Sequence, residues 1–110
     1  MRTATISIDD GGLSLAIRDG RGWYVAWSAI ERIETFKRDL ITTDDVCLSF
    51  LTATGAHVVD EEMDGWDALC RAMSARFAIA ADWFDVVVEP AFATNHRVLW
   101  DGGADVPPLP

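Results

Sequence analysis

Five of the eight residues from Asp60 to Asp67 are carboxylic acids, the densest charge on the chain. Carboxylates placed together shift one another's pKa values, so such a cluster could serve as a general acid and base, hold a cation or dock a basic partner. General acid–base work on a covalent intermediate also needs a nucleophile paired with a base. The bases on offer are His57, beside Val58 in a short predicted strand, and His96, after Asn95 in a predicted turn. Neither stands near a serine or cysteine in a nucleophile motif. His57, Asp60, Glu61 and His96 lack the clustered spacing of a metal site. Cys47 and Cys70 are too few and too isolated for a metal site or disulfide framework. Their spacing fits a bridge or two free thiols, and a cytoplasmic setting favours thiols. No catalytic residue, metal ligand or cofactor is assigned.

The acidic run opens an amphipathic helix. Trp66, Leu69, Cys70, Met73 and Phe77 follow the i, i+3, i+4, i+7, i+11 stripe of a helix with one buried face, which predicts a helix over about 64–77. Asp64 is expected to cap it, with Asp67 at the third position, and Glu61, Glu62 and Asp67 complement the positive end of its dipole. Arg71 and Arg76 suit the other end. Asp60, Glu61 and Glu62 precede the helix and are not required for its stability, so these three with Asp67 are the candidate partner-binding residues.

Five tryptophans are many for 110 residues. Trp23, Trp27 and Trp66 fall on inward faces and are assigned to the core. Trp83 and Trp100 lie in a less patterned region, where they cover a sheet edge or line a ligand or partner groove.

Ahead of the helix the chain reads as strands. Ala4, Ile6 and Ile8 alternate with polar residues, and Asp9-Asp10-Gly11-Gly12 turns the chain. Leu13, Leu15 and Ile17 form the inner face of a second strand. Asp19-Gly20 signals a second hairpin, and Trp23, Val25 and Trp27 follow with Tyr24 and Ala26 outward. Ser28 to Glu31 has capping-box spacing and could start a helical turn, but a long fourth strand over Glu31–Arg38 is favoured. Val46, Leu48 and Phe50 give a fifth strand, and Ala56 to Val59 a short sixth. After the helix, Asp82 to Asp85 suits a single helical turn and Val86-Val87-Val88 an extended segment ended by Pro90. Arg97 to Trp100 is a last strand or a segment packed across the barrel. Residues 101–110, with three prolines and two glycines, predict a flexible tail. The fold class is α+β, mainly β, with one domain over 1–100 and an extension from about residue 78.

Gly12-Leu13-Ser14-Leu15 and Trp27-Ser28-Ala29-Ile30-Glu31-Arg32-Ile33 resemble small bacterial pleckstrin-homology-like (PH-like) proteins, the latter through a W-S-x-I-x-x-I step. The likeness covers residues 3–77 and leaves Trp83 to Trp100 outside it. It implies a bent antiparallel sheet or partly open barrel of six to seven strands, closed by one main C-terminal helix. PH-like lipid sites place cations in the first hairpin loop. Here that loop is acidic, which argues against phosphoinositide.

Nine basic residues, with Lys37 the single lysine, face eighteen acidic ones for a net charge of −9. This balance disfavours nucleic acid and anionic membranes, which need cationic patches. No stretch has the pattern of a signal peptide or membrane span. The expectation is a non-catalytic cytoplasmic binding or scaffolding domain of bacterial type. Its partner is another protein or a second copy, taken up by protein–protein contact or self-association through a strand edge. The alternatives are an acidic inhibitor or immunity-type protein for a basic partner, and a small-ligand carrier using a pocket near Trp83 and Trp100.

Overall fold

A computed structural model describes residues 4–39, 44–88 and 96–102. Among these, β1 (Ala4–Ile8), β2 (Gly12–Ile17) and β3 (Gly22–Ala26) form an antiparallel meander. β4 (Arg32–Asp39), β5 (Asp44–Thr52), β6 (Gly55–Asp60) and β7 (Arg97–Asp101) form a second antiparallel sheet in the order β6-β5-β4-β7. Helices α1 (Trp66–Arg76) and α2 (Trp83–Val88) lie between β6 and β7 in the chain. The fold is α+β and mainly β, and its two sheets do not close into a barrel.

The alternation in β1 and β2 buries Ala4, Ile6, Leu13 and Leu15. β5 is an inner strand and is also buried on both faces, with Val46, Cys47, Leu48, Ser49 and Phe50 all inside. α1 packs its Trp66, Leu69 and Met73 stripe inward and lies against β1, while α2 lies against β4 and β5. Each large apolar side chain so buried contributes roughly 1.5–3 kcal/mol.

Several expectations change. Trp27 belongs to a 3-10 turn (Trp27–Ala29), not to β3, because the chain must bend from one sheet to the other. Its indole stays buried and donates to the Asp9 carbonyl at 3.1 Å. Ser28 makes no cap hydrogen bond there, and the long fourth strand follows as expected. The N-cap of α1 is Gly65, with φ of 91° and no side-chain cap, so Asp64 does not cap the helix. The Asp64 carbonyl instead accepts the Ile6 N–H at 2.7 Å, which ties the helix entry to the edge of β1. A Cβ on Gly65 would stand 2.1 Å from the Ile6 carbonyl oxygen, so the approach requires glycine.

The valine run after Trp83 is helical rather than extended. Trp83 and Val87, one turn apart, are both buried. Packing therefore overrides the β preference of valine. Lys37, itself buried, donates from Nζ to the Val88 carbonyl at 2.7 Å, at the negative end of α2. Arg97 to Trp100 is a strand, paired with β4 across a bulge opposite Ile33 and Glu34. The predicted stop at Pro90 and the tail beyond Gly102 lie outside the described residues.

Candidate functional site

Three of the four predicted partner-binding carboxylates stand at one corner, where β4, β5 and β6 end together. Arg38 Nη2 donates to Asp45 Oδ2 at 3.2 Å and to Asp60 Oδ2 at 2.9 Å. The Glu62 N–H donates to Asp60 Oδ1 at 2.9 Å, which closes a local turn. Glu61 is bound twice to Val46: its N–H donates to the Val46 carbonyl, and Val46 N–H donates to Glu61 Oε1, each at 3.0 Å. These groups extend the β5–β6 ladder by one pair. The sequence pointed to the acids and missed Arg38 and Asp45, whose pairing depends on the fold. Asp67, in the first turn of α1, is exposed.

Burial pushes the Asp45 carboxyl above its ordinary range, against the pull of Arg38 and with help from Asp60 and Glu62. Its Oδ1 is buried without a hydrogen-bond partner. Burial likewise raises Glu61, opposed by the Val46 N–H and reinforced by Asp45, Glu62 and Asp60. Raised carboxyls are a feature of acid–base sites, but ion-pair networks produce them too. Burial also pushes the Cys47 thiol up to about 11 and that of Cys70 to about 12, so neither is a ready thiolate. Both cysteines are free. The histidines are far from each other in the sheet: His57 is on β6 and His96 precedes β7, at opposite edges. His57 packs edge-on against Trp23 at 5.0 Å with its Nδ1 buried and unpartnered. His96 Nε2 lies 2.6 Å from Glu34 Oε1. Among the described residues, no three His, Cys, Asp or Glu side chains are arranged to hold a metal ion.

Trp83 and Trp100 do not share a groove. Trp83 lies tilted against Trp66 with ring centres 6.4 Å apart, and the two line a cavity of about 360 Å³ with Glu61, Asp67, Cys70 and Phe84. Trp100 meets Phe77 edge-on at 4.7 Å and borders a separate cavity of about 580 Å³ with Ile30, Leu51 and Gly102. Trp100 lies on β7, which pairs with β4, and Trp83 lies on α2, which packs against β4 and β5, so the two tryptophans cover the core from different elements.

No protein-family model matches the chain, and neither does any curated protein or solved structure.

Open sheets have edges, and their four edges differ. The Asp64 carbonyl occupies part of the β1 edge, and β7 carries the bulge. Among the described residues β3 and β6 have neither, and both keep a regular register along their single partner. No lysine or proline stands in either, although such residues ordinarily blunt an edge. Hydrogen-bonded pairs alternate in an antiparallel ladder. Trp27 N–H donates to the Gly11 carbonyl and Ile17 N–H to that of Arg21, so Trp23 and Val25 bond to β2 while Gly22, Tyr24 and Ala26 turn their backbone groups outward. The same count from the Glu61–Val46 pair turns Ala56 and Val58 outward on β6. Tyr24 and Val58 are also among the exposed large apolar residues, at 54% and 38%. The two edges meet through Trp23 and His57 over a cavity of about 340 Å³ lined by Tyr24, Val25, Ala26 and Thr52 to Thr54.

Proposed function

We propose that this chain is a non-catalytic binding module that takes up an extended segment of a protein along the open edges of β3 and β6. The observation that carries this reading is the pair of unblunted edges, with outward backbone groups at Gly22, Tyr24, Ala26, Ala56 and Val58. An added strand bonds to such groups by β-augmentation, and side chains entering the adjoining cavity supply selectivity. Thr52 to Thr54, His57 and Tyr24 line that cavity with a mixed polar and apolar wall.

The inhibitor reading has less support, because Asp60 and Glu61 are engaged within the sheet corner. A PH-like kinship remains part of the proposal. Two antiparallel sheets with a packed amphipathic helix support it, whereas β7, which follows both helices and joins β4, departs from a fold that ends on its helix. We place the protein in a bacterial cytoplasm on the PH-like resemblance and on its alanine-, aspartate- and arginine-rich, lysine-poor composition. No helix among the described residues is long and apolar enough to cross a membrane.

Panning a random-peptide library against the chain tests the function. Selected peptides should lose at least about tenfold in affinity when Tyr24→Pro and Val58→Pro are combined, since each proline removes an outward donor. Peptides that bind the double variant as tightly as the native chain would sink the proposal.

A further inference from the structure

Which of the two open edges is the more self-complementary can be read from the direction of its free backbone groups. A two-fold antiparallel pairing centres either on an outward-facing residue or on an inward-facing residue between two outward neighbours. β3 meets the first condition at Tyr24, flanked by Gly22 and Ala26, for three facing pairs. β6 offers fewer: a two-fold at Val58 would set Ala56 against Asp60, whose carbonyl already accepts the Met63 N–H at 3.2 Å, and one at His57 leaves only the two pairings of Ala56 with Val58.

We propose that the β3 edge binds a second copy of this chain, with the two-fold axis at Tyr24 and the two three-stranded sheets joined into one. This rests on the strand-addition reading and names its occupant. Tyr24 then faces Tyr24 of the second copy, and Gly22 faces Ala26 of the second copy on either side. Each facing pair exchanges two N–H···O bonds, giving about six in all.

Charge supports a second copy over an unrelated strand. The residues of β3 carry no charge, so the chain's net −9 brings no repulsion at the seam itself. The β2–β3 turn holds Arg18 and Arg21 with Asp19, all exposed, and Arg21 Nε is paired with Asp19 Oδ2 at 2.7 Å, which leaves this end one positive charge in excess. The opposite end of β3 holds Asp9, Asp10 and Glu31, also exposed. Antiparallel pairing brings the basic-leaning end of each copy beside the acidic end of the other. Arg21 comes opposite Trp27, next to which Asp9 is fixed by its carbonyl bond to the indole. The hydroxyl of Tyr24 is held beside Asp9 and over Gly11 and Gly12, so its ring is drawn toward the β1–β2 turn and leaves the backbone edge open.

Sedimentation equilibrium on the full chain, up to about 300 μM, reads the dissociation constant directly. The native chain should approach twice its 12.1 kDa mass. Tyr24→Pro should raise Kd at least about tenfold while keeping the β-sheet circular dichroism, because the Tyr24 N–H is not used by β2. Val58→Pro, on the other edge, should leave Kd unchanged. Arg18→Glu with Arg21→Glu reads the same interface without touching β3, and should raise Kd about threefold or more at low salt. A native chain that stays monomeric overturns the second-copy inference, and so does a dimer indifferent to both Tyr24→Pro and the arginine pair. Strand addition by another protein is judged separately: peptide binders that depend on Tyr24 and Val58 would stand even if the chain were monomeric.

Discussion

The acidic corner and the β3 edge offer a contrast between polar groups that are used and polar groups that are not. At the corner, Arg38, Asp45, Asp60, Glu61 and Val46 bond one another and fasten three strand ends, with Asp45 Oδ1 the one buried atom left over among them. At β3, Gly22, Tyr24 and Ala26 turn ordinary backbone donors and acceptors outward beside a cavity. Conspicuous charge marks a structural joint here, and an uncharged strand marks the candidate interface. A binding edge needs no special side chain, because the peptide groups already carry the hydrogen bonds.

The comparison among edges breaks most severely at Gly65. Replacing it with alanine forces a side chain into a left-handed backbone and against the Ile6 carbonyl, so the covered β1 edge must open. Gly65→Ala should cost about 3 kcal/mol in urea unfolding. A loss under about 1 kcal/mol would show that the Asp64–Ile6 tie does little to guard β1. Next in size is Arg38→Met. Its guanidinium is 47% exposed, but Asp45 keeps only 5% side-chain exposure and would lose its cation. Discounted for solvent around Arg38, the cost is about 1–2 kcal/mol. Glu61→Ala removes the acceptor for the buried Val46 N–H and should cost about 1 kcal/mol.

The corner also titrates in a definite sense. Asp45 is raised by burial above its ordinary 3.8, and Glu61 above 4.5. Such groups bind protons more readily folded than unfolded, so their contribution to stability grows as pH falls from neutral toward those ordinary values. Glu34 acts oppositely. Burial would raise it, but hydrogen bonds from His96 and Arg32 prevail and hold it below 4.5. Its contribution is present above that value and is lost as pH falls through its folded pKa. Asp45→Asn should therefore reduce the gain in unfolding free energy between pH 7 and about pH 4. An unchanged profile in that variant would assign the pH dependence elsewhere.

Periodicity made much of this legible in the sequence. The alternations in β1 and β2 and the Trp66-Leu69-Met73 stripe correspond to buried faces because burial imposes its period on the residues, whereas β5 is buried on both faces. What escaped was set by contacts distant along the chain. Asp64 looks like a cap until Ile6 approaches it, and the valines of α2 look extended until Trp83 and Val87 pack beneath them. Trp83 and Trp100 resemble one groove in a linear reading, yet they pack against different aromatics, Trp66 and Phe77. Of the candidate site, the acids were visible by charge and their partners Arg38 and Asp45 were not. Tyr24 was visible as outward-facing, but an edge is a property of which strands have neighbours, and sequence period carries no such information.

The smallest expected effect on stability is the sharpest discriminator between open and covered edges. Val58→Pro removes a donor that points away from β5 and replaces a side chain already 38% exposed. Proline is tolerated where an edge N–H faces solvent, so the loss should stay under about 1 kcal/mol. A proline at His57, one residue earlier, removes an N–H that bonds to Phe50 in the ladder and should cost about 3 kcal/mol. Amide exchange reads the same alternation without mutation: at concentrations where the chain is monomeric, Tyr24, Ala26, Ala56 and Val58 should exchange at least about a hundredfold faster than Val25, His57 and Val59. Equal protection at neighbouring residues would mean that both edges are already covered, and the strand-addition reading would lose its foundation.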